Sequence, residues 1–298
     1  MSRIIRVEKV NKKFKNTKAV NNLSLDLEEN KIFGLLGRNG AGKTTLLDLL
    51  TAHKLPDRGQ IKIWGKENYE SPAVREQICY MQEKNPFINK WTVNSLLTMG
   101  ASFYPNWDQE YVAQLSEQFA LKRKQQYGQL SKGEKAVVNI VIALASRCPL
   151  TIFDESYMGL DTPSRQKFYD LLLEDYRNHP RTIILSTHLI DEVSKLFDEV
   201  IIIDQGQLLL KEEADYIRNC AFQITGPKKI LQTEIDFAED DIIYRKEKQN
   251  YLTLAIYKEQ PDQLLDRLKT KNSEVENLSL GRLFSYITGR KKEEISRG

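Results

Sequence analysis

Hydrophobic and polar residues alternate along the first 36 positions in a way that is typical of β-strands. Residues 4–10 are strand-like, and Leu23-Ser24-Leu25-Asp26-Leu27 keeps a strict period of two. Residues 31–36 instead form an almost unbroken apolar run, which predicts a strand buried on both faces. Further strands are predicted at 60–64 and 78–81. The N-terminal part of the chain is therefore predicted to be rich in β-structure.

Helical patterns then begin to alternate with buried strands. A short apolar helix is predicted at 45–52, and residues 92–127 are helical and polar, with Asp108 as a helix N-cap. Residues 135–146 are too apolar for a surface position and predict a core helix. Apolar strands follow at 150–153, 182–185 and 200–208, the last with a turn inside it. This alternation predicts an α/β domain with a largely parallel sheet covered on both faces.

A second pattern begins near residue 214. We predict strands at 221–225, 242–245, 252–257 and 275–280, and helices at 228–234, 262–271 and 282–288. This βαββαβ order suggests a small ferredoxin-like α+β domain. The predicted domains are 1–213, with a helical subdomain at about 85–147, and 214–298.

Composition narrows the class of protein. The 298 residues carry a net charge of only +3, because 44 basic residues face 41 acidic ones, so no nucleic-acid partner is expected. No apolar run reaches the roughly 20 residues that span a bilayer, and the N-terminus lacks a signal-peptide core. Three isolated cysteines lack metal-ligand spacing and are interpreted as buried residues in a reducing cytoplasm.

The strongest chemical motif lies between the buried strand at 31–36 and the helix at 45–52. A polyphosphate must be wrapped by backbone N–H groups, which requires glycine where backbone approaches oxygen. Lysine adds a cation for the β- and γ-phosphates, and the following threonine is the expected Mg²⁺ ligand. The predicted phosphate loop is Gly37, Arg38, Asn39, Gly40, Ala41, Gly42, Lys43, Thr44 and Thr45.

A second motif is the acidic pair that ends the strand at 150–153. Asp154 and Glu155 are placed at the carboxyl edge of the sheet, beside the predicted phosphate loop. Neighbouring side chains on an extended backbone point to opposite sides, so their roles can differ. Asp154 is predicted to hold Mg²⁺, and Glu155 to polarise the water that attacks the γ-phosphate.

A third motif lies between these two. It precedes the core helix and consists of Ser131, Lys132, Gly133 and Glu134. Together with the phosphate loop, the acidic pair, Gln82 and Ser186-Thr187-His188, it makes residues 3 to about 212 resemble the ATPase subunit of an ABC transporter.

The resemblance implies a role for each matching residue. Phe14 would stack on the adenine of ATP, Gln82 would sense Mg²⁺ and the attacking water, and His188 would contact the γ-phosphate. Asp161 would lie at a dimer seam. The segment Ser131–Glu134 would close over ATP held by the opposite subunit, which is the same chain or a homologous ATPase subunit.

Each of these residues also has a simpler interpretation. Phe14 could fill the core, and Gln82 could be a solvated strand end. His188 could be a satisfied core or cap residue, and Asp161 could be only a helix cap. Lys132 stands where the family usually has glycine, so its side chain either points outward or adds a phosphate contact.

Other features narrow or qualify the resemblance. Ser156 replaces a common proline, and Val137 lies where an arginine is frequent. Pro105-Asn106-Trp107-Asp108 and residues 283–289 resemble ATPases of Gram-positive exporters of bacteriocins, antibiotics or amphipathic peptides. A separate polytopic permease would then hold the chain at the inner face of the cell membrane.

Two other functions remain open from the sequence. A soluble ABC-type ATPase of translation or DNA repair is disfavoured by the single phosphate loop and the lack of sustained heptads. A regulatory or immunity ATPase would use the same shape change to signal. Residues 214–298 carry no chemical constellation, and a dimer-widening or regulator-binding role is expected for them.

Overall fold

The computed structural model describes residues 3–69, 71–259, 268 and 272–296. The chain divides into two compact units. The first comprises Met1–His188 with Ile201–Leu208, and the second comprises Leu189–Val200 with Leu209–Gly298. The functional boundary at 213/214 stays a prediction.

The elements of residues 3–187 include every strand and helix predicted there, together with a strand at 66–67 and helices at 72–75 and 162–178 that were not predicted. They are β1 Arg3–Phe14, β2 Thr17–Glu28, β3 Ile32–Leu36, α1 Lys43–Leu50, β4 Arg58–Ile63, β5 Lys66–Glu67, α2 Pro72–Arg75, β6 Ile78–Gln82, α3 Val93–Phe103, α4 Gln109–Gln118, α5 Lys132–Ala145, β7 Leu150–Asp154, α6 Thr162–Asn178 and β8 Thr182–Thr187.

The remaining elements are α7 Ile190–Val193, β9 Glu199–Asp204, β10 Gln207–Glu213, α8 Ala214–Cys220, β11 Ala221–Pro227, α9 Lys228–Glu234, β12 Ile242–Lys248, β13 Tyr251–Tyr257, β14 Glu274–Asn277 and α10 Leu280–Ser296. Short 3-10 turns occur at Tyr127–Gln129, Ser194–Leu196 and Glu239–Asp241.

Two different sheets are built from the strands up to β10. A six-stranded sheet has the order β10-β9-β3-β8-β7-β6, and its β3–β8, β8–β7 and β7–β6 pairs are parallel. Strands β3, β7 and β8 are buried along their whole length, as their apolar runs predicted. The N-terminal strands do not extend this sheet. They form a separate antiparallel sheet of order β2-β1-β4-β5, in which buried and more exposed positions alternate.

Helices cover the parallel strands and bring the motifs to one edge. Helix α5 is buried from Ala136 to Ala145, which confirms the predicted core helix. Asp108 caps α4, since its carboxylate accepts from the Tyr111 N–H at 2.8 Å, and this predicted cap is also confirmed. Because β3, β7 and β8 run parallel, their carboxyl ends meet at the same sheet edge, where the phosphate loop and the acidic pair lie.

The second unit contains an antiparallel sheet of order β12-β13-β11-β14. In chain order, β11 and β13 are the first and third strands of this sheet, and both are central. Helix α9 follows β11, which agrees with the predicted βαββαβ order over the described residues. The predicted helix 262–271 lies outside the described residues except for Leu268. Helix α8 was missed because only Ala214, Ile217 and Cys220 are buried in its seven residues, too short a pattern to identify.

Across the described residues, no helix combines the length and apolarity that a membrane span requires.

Candidate functional site

The loop between β3 and α1 has the backbone that a phosphate cradle requires. Helix α1 begins at Lys43, and its N-cap Gly42 has φ of 107°, in the left-handed region that favours glycine. A Cβ atom on Gly42 would overlap the carbonyl oxygen of Ala19. A Cβ on Gly37 would lie 2.8 Å from the carbonyl oxygen of Ile203. A side chain at either position would collide with a neighbouring backbone carbonyl, so both positions require glycine. The N–H groups at the start of α1 point toward the loop side of the helix, where a phosphate can bind.

Lys43 joins this loop to the acidic motif. Its side chain is buried, with Nζ donating to the Gly37 carbonyl at 2.7 Å and lying 3.7 Å from Oε1 of Glu155. An ammonium has three N–H donors, so two remain for phosphate oxygens. The sequence placed these groups beside each other, and the geometry brings them together.

Asp154 and Glu155 occupy different environments, although the cause is a turn of the backbone at Glu155 and not the predicted alternation along an extended strand. Asp154 ends β7 and is only 5 % exposed, and burial raises the pKa of its carboxyl above the ordinary value. The Thr44 side chain is hydrogen bonded to it. Glu155 has φ of 52° and turns out of the strand, with Oε1 3.4 Å from Nδ1 of His188. The more exposed Glu155 therefore lies between Lys43 and His188.

His188 is half exposed and partners Glu155, so it is not a core histidine. It directly follows β8, the strand between β3 and β7. Strand order therefore brings it to the edge that also carries Lys43 and Glu155.

Gln82 enters the site through two residues that sequence reasoning missed. Its Nε2 donates to the Tyr80 hydroxyl at 2.8 Å and to Oδ1 of Asp48 at 3.1 Å. The Tyr80 hydroxyl lies 3.2 Å from Oδ1 of Asp48 and 3.4 Å from Oδ2 of Asp154. Gln82 is therefore not a solvated strand end. One signal was available, since Asp48 is an acid between the leucine pairs Leu46-Leu47 and Leu49-Leu50 of α1.

The phenol of Tyr80 is enclosed by these acceptors. Burial, followed by the nearby Asp154 and Asp48 carboxylates, raises the pKa of Tyr80 well above its usual range. The phenol therefore stays neutral, and its single O–H can donate a hydrogen bond to either carboxylate. Tyr80 thus links the P-loop helix through Asp48 to the end of β7.

Phe14 lies at the end of β1 and is 41 % exposed, which contradicts its interpretation as a core residue. The ammonium groups of Lys12 and Lys54 lie 5.7 and 5.5 Å from its ring centroid. Both ammonium groups lie over the ring, as in a cation–π contact, and the role of Phe14 at adenine stays a prediction.

Ser131 is the N-cap of α5 and forms a capping box with Glu134. The Ser131 hydroxyl accepts from the Glu134 N–H at 3.2 Å, while Oε2 of Glu134 accepts from the Ser131 N–H at 2.8 Å. The Lys122 ammonium, 2.8 Å from Glu134, lowers the pKa of that carboxyl to about 2. Lys132 extends outward, with Nζ 4.0 Å from Oε1 of Glu83.

The loop after Glu155 contacts the start of α5. A Cβ on Gly159 would lie 2.6 Å from the carbonyl oxygen of Lys132, so this position needs glycine. Asp161 caps α6, accepting from the Ser164 N–H at 3.0 Å. Hydrogen bonds from the Ser164 side chain and then from its N–H lower the pKa of the Asp161 carboxyl. Its cap role is confirmed, and its place at a dimer seam stays a prediction.

Comparisons with known proteins agree with this geometry. The family described as ABC transporter matches residues 20–157. The ABC transporter ATP-binding protein YtrB of Bacillus subtilis is 27% identical over 272 residues, which cover 90% of this chain and 92% of YtrB. The chain contains an ABC transporter ATP-binding domain.

Solved structures agree with this assignment. An ATP-binding subunit of an ABC transporter aligns with a TM-score of 0.66 and 27% identity, covering 72% of this chain and 92% of its own. A dimeric ATP-binding cassette in a post-hydrolysis state, bound to ADP and phosphate, aligns with a TM-score of 0.62 and 20% identity, covering 71% and 99%. The fold is the α/β P-loop fold of ABC ATPases, as predicted.

The predicted site residues lie mainly at one sheet edge. The structure brings together the loop 37–45, Asp154, Glu155, His188 and, through Tyr80, Gln82. The described contacts of Ser131–Glu134 run instead to Lys122, Glu83 and Gly159. This edge can bind a polyphosphate and present a carboxylate to water, which is the chemistry of ATP hydrolysis coupled to transport.

Proposed function

We propose that this chain is the ATP-hydrolysing motor of an exporter of peptide-like or antibiotic-like substrates, and that it works as a dimer closed over two ATP molecules. The observation that supports this is the contact of Glu155 with both Lys43 and His188, while the Ser131 end of α5 has its described contacts elsewhere. We take the first group as one half of a site. A second copy, or a homologous ATPase subunit, supplies the missing half.

Within one half-site, the residues have separate tasks. The loop N–H groups and the two remaining N–H donors of Lys43 hold the β- and γ-phosphates. Glu155 accepts a hydrogen bond from the attacking water and takes up its proton as the water oxygen bonds to the γ-phosphorus. The bond from that phosphorus to the β–γ bridging oxygen breaks at the same time, and its electron pair leaves with ADP. His188, 3.4 Å from Glu155, contacts the γ-phosphate and keeps Glu155 oriented. Gln82 senses Mg²⁺ and the attacking water, and its hydrogen bonds to Tyr80 and Asp48 connect it to the phosphate site.

The oxygen atoms near Asp154 suit Mg²⁺. Within the described residues, no cluster of three or more His, Cys, Asp or Glu side chains forms a metal site. Mg²⁺ prefers one or two carboxylates together with substrate phosphates and water, and the Thr44 hydroxyl and Asp154 carboxylate provide that kind of donor. Gln82 is the third predicted contact. When bound, the ion neutralises charge on the phosphate oxygens, which lowers the cost of keeping Asp154 ionised.

The α5 terminus supplies what a second nucleotide needs. Helix α5 is 14 residues long, so its N-terminal N–H groups carry partial positive charge. Ser131 adds a hydroxyl that can donate. A Cβ on Gly133 would lie 3.1 Å from the carbonyl oxygen of Gly159, so glycine here serves the packing of the helix end. The aligned dimeric cassette with ADP and phosphate supports a paired arrangement in this fold.

Pairing can be tested by the dependence of turnover on enzyme concentration. We expect the ATPase rate per chain to rise with chain concentration, because a single copy holds only half of each site. Glu155→Gln should abolish most turnover while leaving Mg-ATP binding, and Glu174→Gln, on the exposed side of α6, is the matched control. A rate per chain that is constant over the dilution series contradicts the dimer.

An exposed apolar surface near α3 fits a membrane partner. Ile88, Trp91, Met99 and Phe103 are exposed on or just before this helix, and Phe103 is 58 % exposed. Met99 and Phe103 are four residues apart and therefore share a helix face. Such side chains suit the apolar face of a cytoplasmic helix from a separate permease, which would hold the chain peripherally at the inner membrane face.

Co-purification tests this surface. The chain is expressed together with a polytopic membrane protein encoded beside it, and that membrane protein is purified in detergent. Wild-type chain should be recovered with it. Met99→Ser with Phe103→Ser should reduce recovery strongly, while Tyr251→Ser, at an exposed aromatic of the second unit, should not. Equal recovery of all three would contradict docking on α3.

A further inference from the structure

Helix α5 contains one buried polar side chain that the site described above does not use. Asn139 is 1 % exposed and lies between Val138 and Ile140, which are fully buried. Burying a side-chain amide without hydrogen-bond partners destabilises the folded protein, so the partners of Asn139 show what this residue does.

Asn139 bonds to two catalytic segments at once. Its Nδ2 donates to the carbonyl oxygen of Gln82 at 3.2 Å and to that of Ser156 at 3.4 Å. Its Oδ1 accepts from Nδ2 of Asn85 at 2.7 Å. Carbonyl oxygens only accept, so the amide nitrogen must face them and the orientation of the side chain is determined.

Asn85 completes the grip on Gln82. Its Oδ1 accepts from the Gln82 N–H at 3.2 Å, and its Nδ2 donates to the Gln82 carbonyl at 3.1 Å. Both backbone groups of Gln82 are thus held by the asparagine pair Asn85 and Asn139. The Gln82 side chain remains directed at Tyr80 and Asp48.

The position of Asn139 gives these bonds their meaning. It lies eight residues after Ser131 on α5, about 12 Å along a rigid helix. Ser156 directly follows Glu155. The side chain therefore ties the helix that begins with the Ser131–Glu134 segment to the segments that carry Gln82 and Glu155. The tight approach of Gly159 to the Lys132 carbonyl joins the same elements at the helix end.

We propose that Asn139 is a positioning residue for ATP hydrolysis. It holds Gln82 and the segment after Glu155 in register with α5, so that a shift at either catalytic segment moves the Ser131 end of the helix. Since Asn139 contacts neither the phosphate loop nor Lys43 in the described structure, it acts on turnover and not on the binding of nucleotide. The part of this inference that concerns Ser131 rests on the proposed dimer.

The test separates kcat from nucleotide affinity. Asn139→Asp keeps the shape of the side chain but replaces the donor with an acceptor, which repels both carbonyl oxygens. We expect kcat to fall roughly tenfold to a hundredfold, as for a small misplacement of catalytic groups, with Mg-ATP affinity measured by calorimetry essentially unchanged. Val138→Ala, a neighbouring cavity variant without hydrogen bonds, is the matched control and should lower the melting temperature without this loss of kcat.

Further variants keep the test decisive. If Asn139→Asp does not fold, kcat is measured for Asn139→Leu, for Asn85→Ala and for the double variant. The fold-loss of kcat in the double variant should be smaller than the product of the two single fold-losses, because both residues act through one hydrogen-bond network. Unchanged kcat, a multiplicative double variant, or a kcat loss equal to that of Val138→Ala would overturn the inference. Wild-type turnover that is linear in enzyme refutes the dimer alone, since the kcat effect of Asn139 is measured in either case.

Discussion

Lys43→Met removes the buried lysine of the predicted phosphate loop. The ammonium is buried and 6 % exposed, and methionine has a similar length without charge, so the core around α1 should remain filled. The Gly37 carbonyl loses its 2.7 Å donor, and Glu155 loses a cation 3.7 Å away. The expected consequence is loss of nucleotide binding in a protein that still folds.

The magnitude follows from the donor count. One of the three N–H groups is used by Gly37, so two are available to phosphate oxygens. Hydrogen bonds to charged groups contribute about 1.5–3 kcal/mol each. Two of them correspond to about 3–6 kcal/mol, or roughly a hundredfold to ten-thousandfold in affinity.

Calorimetric titration with Mg-ATP measures this loss directly. Lys66→Met, on the exposed strand β5, is a control for removing a lysine from the same unit. Circular dichroism establishes that Lys43→Met remains folded. A dissociation constant within threefold of wild type would refute the assignment of this loop to phosphate binding.

Two further predictions concern the backbone and the buried acid of the site. Burial raises the pKa of the Asp154 carboxyl above its ordinary value of 3.8. Nucleotide-free wild type should therefore lose stability relative to Asp154→Asn as pH rises from 3.8 to the raised pKa, with no deficit below 3.8 and no further loss above the raised pKa. Parallel melting-temperature profiles against pH would contradict this. Gly42→Ala should lower the melting temperature and abolish Mg-ATP binding, because strain of about 1–3 kcal/mol adds to overlap with the Ala19 carbonyl. Gly65→Ala has positive φ but open space, so equal effects of the two variants would refute the overlap.

Local patterns predicted the parts of the site that depend on backbone chemistry. The glycines at 37–42 and the acids after β7 were identifiable because a phosphate loop and a strand end impose residue types at fixed spacing. The cap Asp108 followed from the same kind of short-range rule, whereas the capping box of Ser131 and Glu134 was not predicted. Parallel pairing of β3, β8 and β7 then brought these motifs to one edge.

Long-range contacts were beyond the sequence. Tyr80 reads as an ordinary strand residue, and only the approach of α1 and β7 places Asp48 and Asp154 around its hydroxyl. Asn139 is separated by 57 positions from Gln82, and its role appears only once α5 packs on β6. The separate antiparallel sheet could not be predicted either, because the pairing of β1 with β2 and β4 depends on tertiary packing.

Whether Ser131 serves the nucleotide of a second copy is tested most directly by light scattering on the Glu155→Gln protein with Mg-ATP. Because hydrolysis is blocked, the nucleotide should hold two chains together at twice the 34.6 kDa of one chain. Glu155→Gln combined with Ser131→Arg should bind Mg-ATP and remain at 34.6 kDa. A single-chain mass for ATP-bound Glu155→Gln, or an unaltered dimer in the double variant, would contradict the shared site.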